Sequence, residues 1–120
     1  MRRVAALVVG LATLFPAAVY AQAKQDFTLI NRTGYVIDEV YVAPSSSEDW
    51  QNDVMGQNVL NNGARVNISF PRRQRACKYD IKVVFSDEST SEWEDFNLCE
   101  TAKIILRYNK KSGETWAEYE

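Results

Sequence analysis

From Cys77 to Phe85 the chain reads CKYDIKVVF, with an apolar residue at every second position. Cys77, Tyr79, Ile81, Val83 and Phe85 form one face, and Lys78, Asp80 and Lys82 form the other. Only a β-strand sends alternate side chains to opposite sides, so this stretch is a strand with one buried face. The same period recurs along the chain. Phe27 and Leu29 flank Thr28, and in ARVNISF the residues Val66, Ile68 and Phe70 point inward while Arg65, Asn67 and Ser69 point out. SEWEDFNLC, KIILRY and TWAEY add further short strands. NRTG, NNG, SDEST and NKKSGE supply turns, with Gly34 free to take positive φ. Pro44 and Pro71 end strands because they lack an N–H.

Two strands alternate imperfectly. Ile37 and Val40 fall on opposite faces unless a bulge lies near Asp38 and Glu39, and Trp93, Phe96 and Leu98 require another. The opening strand, NRTG turn and Tyr35–Val42 strand read as a hairpin. In SSSEDWQNDVMG, Ser46 or Ser47 can cap a short helix with Glu48 and Asp49 in its first turn. Trp50 and Val54 would then share one face and bury Trp50 as a plug. The expected fold is all-β: an antiparallel sandwich or open barrel of about seven short strands with one short helical segment.

The first residues set the compartment. Arg2 and Arg3 precede an almost wholly apolar run from Val4 to Val19, and Ala21-Gln22-Ala23 offers small residues for cleavage. This is a secretory signal pattern over residues 1–23, cut after Ala23 or, as the second choice, after Ala21. Pro16 interrupts a run already short for a bilayer span, so no stable membrane anchor is expected after cleavage. The remaining 97 residues, 24–120, form one domain. Arg2 and Arg3 leave with the signal and no acidic residue does, so 12 basic and 16 acidic side chains give a charge of −4. That charge argues against nucleic-acid binding. The expected location is periplasmic or secreted.

Cys77 and Cys99 are the only cysteines. An even count in an exported chain favours a disulfide. Cys77 opens one strand and Cys99 closes the next, so an antiparallel hairpin would set them opposite each other at one end.

The run NRTGYVIDEVYVAPSSSEDWQNDVMG, followed by CKYDIKV and NLC, resembles a group of small exported bacterial proteins. They share the N-x-T-G opening, the Trp-then-Gly segment and two cysteines. The resemblance spans nearly all of the chain after the leader and implies export, but brings no established activity. Some members carry the label argininosuccinate lyase. That enzyme is a large, mostly helical oligomer, and nothing in these residues matches its chemistry.

The chain has no histidine. Ser-His-Asp and Cys-His catalysis are therefore excluded, as are the commonest zinc sites. No phosphate-cradling or nucleophile-elbow motif occurs, and no cofactor or metal is expected. Asp87, Glu88, Glu92, Glu94, Asp95 and Glu100 would have to face one another in a cleft to work as a hydrolase or to bind calcium. PRRQRACK concentrates Arg72, Arg73, Arg75 and Lys78 just before a core strand, a cluster suited to an anionic partner. Trp50 and Trp93 read as core. Trp116, on the terminal strand, reads as exposed and able to meet a carbohydrate ring or a protein. The expectation is a non-enzymatic module that engages a protein partner through a sheet edge or the basic loop. The alternatives are a ligand- or calcium-binding domain or small hydrolase using the acidic loops, and an inhibitor or immunity-type protein.

Overall fold

The computed structural model describes residues 23–120. The leader expected over residues 1–23 therefore lies outside the described residues except for Ala23. Seven strands follow in order: β1 (Phe27–Asn31), β2 (Ile37–Pro44), β3 (Arg65–Ile68), β4 (Lys78–Phe85), β5 (Thr90–Asn97), β6 (Lys103–Asn109) and β7 (Glu114–Tyr119). They form a four-stranded sheet, β3-β1-β6-β7, and a three-stranded sheet, β2-β4-β5. The fold is an all-β sandwich, not a closed barrel.

The alternation in CKYDIKVVF places Tyr79, Ile81, Val83 and Phe85 in the core. Leu29 of β1 and Ile104 and Leu106 of β6 meet them from the other sheet, and all three are fully buried. Each such side chain contributes about 1.5–3 kcal/mol by leaving water. Both expected bulges are present. The β2–β4 register shifts between Ile37 and Glu39, which lets Ile37 and Val40 both face inward. The β4–β5 register shifts at Tyr79/Ile81. There Asp95 takes φ +64, and Trp93, Phe96 and Leu98 are all buried. Asp80 Oδ1 accepts from the Asp95 N–H at 2.9 Å and the Ser45 hydroxyl at 2.6 Å, fastening the bulge to the end of β2.

Three expectations change. First, the sheets are not wholly antiparallel, because β1 pairs parallel with β6, Leu29 opposite Ile104. Second, β1 and β2 are not a hairpin. Arg32 N–H still donates to Leu106 C=O beside β6, whereas Val36 C=O already accepts from Ser86 at the end of β4. The NRTG turn thus carries the chain from one sheet to the other, with Gly34 at φ +92.

Third, the short helical segment does not form, and no helix occurs among the described residues. Gln51 takes φ +67, outside the helical range. Asp53 Oδ1 then accepts from the Val40 and Met55 N–H groups, both at 2.9 Å, and Val54 N–H donates to Val40 C=O. The backbone groups a helix would use instead cover the edge of β2. Met55 and Leu60 are buried in place of Trp50 and Val54. Val54 is exposed, and half-buried Trp50 sits outside the core, 5.6 Å from Lys82 Nζ.

Asn31 ties the crossing together. Its Oδ1 accepts from the Thr33 N–H and hydroxyl, and its Nδ2 donates to the carbonyls of Tyr35 and Leu60. The side chain is fully buried and every bond it can make is made.

Cys77 and Cys99 are bonded, with Cα atoms 5.2 Å apart at the open end of the β4–β5 hairpin. The disulfide fits an oxidising, exported location.

Candidate functional site

Two surfaces gather chemistry, at opposite ends of the sandwich. The first surrounds the disulfide. Arg72, Arg73, Arg75 and Lys78 are all exposed. Gln25, buried beside β1, donates from Nε2 to the carbonyls of Gln74 and Ala76 and so holds the basic loop in place. Arg72 and Arg75 line an open cleft with Lys24, Cys77 and Cys99, whereas Arg73 and Lys78 do not line it. Among the described residues the ion pairs are made by Lys103, Arg107 and Lys110, not by these four cations. Their charge is left to act on what approaches.

The second surface lies where three turns meet, after β1, after β4 and after β6. Tyr35, Phe85 and Tyr108 form an aromatic trio. Phe85 stacks on Tyr108 with ring centres 5.2 Å apart, and Tyr35 packs edge-on to both at about 6 Å. They line a recess of about 160 Å³ whose rim carries Ser86, Ser89, Asp87 and Lys110. A shallower hollow continues past Tyr35 and Tyr108 to Lys111 and Trp116. Tyr35 is 41% exposed and Trp116 45% exposed. Trp116 is positioned by β7, where it pairs with Arg107, and its carbonyl accepts from the buried Trp93 indole at 2.8 Å. Trp116 and the basic loop, both singled out in the sequence, are therefore not brought together.

Tyr35, Tyr108 and Lys110 are not among the site residues expected from the sequence. Their signal was an aromatic residue directly after the NRTG turn and another directly before NKKSGE, but their meeting depends on the parallel β1–β6 pairing.

The acidic residues do not converge. Glu92, Glu94 and Asp95 are exposed along β5, and Glu88 sits at φ +72 in the preceding turn. Among the described residues no group of three or more acidic or cysteine side chains could hold a metal ion. Asp87 is engaged instead, 2.8 Å from Lys110 Nζ, while also accepting from the Ser89 hydroxyl and N–H. Lys110 first, then Ser89, holds the Asp87 carboxyl well below the usual carboxylate range. The ammonium is raised in turn by Asp87.

The lowered carboxyl stabilises the turn above its ordinary pKa, and that contribution fades only as pH falls through the lower folded value. Both partners are about half exposed, so the effect on the whole fold is small. Lys110→Gln is expected to move the Asp87 titration upward toward about 4, read by carboxyl NMR. An unchanged titration would assign the shift to Ser89 alone.

Comparison with protein-family models, curated proteins and solved structures found no match.

Proposed function

We propose that the protein is a non-enzymatic, exported binding module that engages a protein partner through its aromatic end. One observation carries this reading. Tyr35, at the recess, and Trp116, in the hollow that continues from it, are large, exposed aromatic side chains with Lys110 and Lys111 beside them. Tyr35 is held edge-on by Phe85 and Tyr108, so little side-chain freedom is lost on contact. Rigid aromatic anchors beside a desolvated pocket are typical binding hot spots. An inhibitor or immunity-type role is the special case in which the partner is an enzyme. The basic cleft at the other end is the second place a partner could engage.

The test is cross-linked capture from native envelopes. It compares wild type, the Tyr35→Ser/Trp116→Ala variant and the Arg72→Ala/Arg73→Ala/Arg75→Ala variant. Both substitution sets fall on exposed positions, so the fold is expected to survive. The aromatic variant is expected to bind the captured partner at least about 30-fold more weakly, the cost of losing one hot spot. The arginine variant is expected to retain it. The reverse pattern would move the site to the basic cleft, and capture of nothing by wild type would defeat the reading.

A further inference from the structure

We propose that the groove beside the outer edge of β2 binds an extended, uncharged stretch of polypeptide, held by main-chain hydrogen bonds to Val42 and by the Tyr79 hydroxyl. The site is separate from the aromatic end and does not depend on that reading.

The edge is open by register. Ser45 N–H donates to Lys78 C=O, so residues of that parity in β2 turn their backbone toward β4. Residues of the other parity turn away from it. Val40 shows this, giving its N–H to Asp53 and its C=O to Val54. Val42 points the same way, but no described residue bonds to its N–H or C=O. One residue thus offers a donor and an acceptor side by side, the pair that one residue of an antiparallel neighbour exchanges. The open stretch is short. Asp53 and Val54 close it on one side, and on the other Pro44 has no N–H and gives its C=O to Ser47.

Outside Val42 lies a groove of about 310 Å³. Pro44, Phe70 and Pro71 supply apolar wall, and Gln51, Asn52 and Gln74 supply neutral amides. No acidic or basic side chain lines it, which disfavours a phosphate or a carboxylate and suits peptide groups. Tyr79 also lines the groove. Its hydroxyl is fully buried and, among the described residues, is the buried side-chain polar atom left without a hydrogen bond. Gln74 lies beside it and acts against the rise that burial causes, but the two do not meet in hydrogen-bonding geometry. Burial dominates and pushes the phenol above its ordinary value, so it stays a donor. A buried donor with no acceptor costs stability unless something supplies one. A peptide carbonyl that enters the groove and moves the neighbouring Gln74 side chain aside would do so.

The test uses the uncharged peptide acetyl-Val-Thr-Val-Thr-amide, titrated while backbone amide NMR shifts are followed. Saturable shifts are expected at Val42, Asn52 and Gln74 with a dissociation constant near 1 mM, as suits a few main-chain bonds. The same peptide N-methylated at its second valine, which has lost one donor, should bind several-fold more weakly.

Tyr79→Phe separates a ligand role from a packing role. It is expected to raise the Tm of the free protein by about 4 °C, because an unmet polar group is removed. It should also weaken peptide binding about five-fold. No saturable shift at Val42 up to about 10 mM would overturn the proposal. So would undiminished binding by Tyr79→Phe, or a fall in its Tm, which would mean that the hydroxyl is already satisfied within the fold.

Discussion

Replacing Cys77 and Cys99 together with alanine is expected to lower the unfolding free energy by about 3 kcal/mol, read as a shifted midpoint in urea. The bridge spans a sequence separation of 22. The hairpin beneath it is already registered by the β4–β5 ladder and by the Leu98 N–H to Cys77 C=O bond. The native sheet therefore survives the substitution, and most of the loss comes from freeing the unfolded chain. The intact oxidised protein should be lighter than its reduced form by two hydrogens and should resist thiol labelling. An unchanged midpoint would show that the unfolded chain keeps the two strands together without the bond.

Asn31→Ala is expected to cost a similar amount, about 3 kcal/mol. The substitution leaves the Thr33 N–H without its acceptor and takes one donor each from the Tyr35 and Leu60 carbonyls, the latter still accepting from the Ile37 N–H. The Asn31 site is fully buried, so water does not readily replace the amide. Asn31→Asp is a sharper probe. It keeps the acceptor that serves Thr33 but sets a carboxylate oxygen against two carbonyls, so it should be at least as damaging at neutral pH. Denaturant titration of both variants measures the cost. Losses below about 1 kcal/mol would mean that the turn and the Leu60 segment hold each other through the backbone alone.

The strands, both bulges and the disulfide could be read from the sequence because local chemistry decides them. Alternation fixes a strand's face, paired apolar residues out of phase demand a bulge, and a cysteine at each end of a hairpin fixes a bridge. The short helix was misread for a related reason. Ser46, Glu48 and Asp49 do favour a helix start, but Asp53 has a better use at the β2 edge, which local propensity does not register. Sheet membership was not legible either. Nothing in NRTG says that the strand after it joins the other sheet, and nothing in KIILRY says that it lies parallel to FTLIN. The basic loop and Trp116 were found as residues but not as places. The aromatic end was missed because Tyr35, Phe85 and Tyr108 come from three distant segments, and the β2 groove because a missing hydrogen bond has no sequence signature.

The parallel pairing of β1 with β6 also bears on how the chain reaches its fold. A chain made from its N terminus exposes Phe27–Asn31 long before Lys103–Asn109 exists. Until then β1 lacks the neighbour that separates it from β7, and the four-stranded sheet has no centre. The β4–β5 hairpin, by contrast, needs only contacts close in sequence and can close as soon as Cys99 has emerged. Distant pairings of this kind slow folding, since a large loop must close before its contacts reward it. β6 and β7 thus act as a latch, keeping the sandwich open until the five strands before them have all been made.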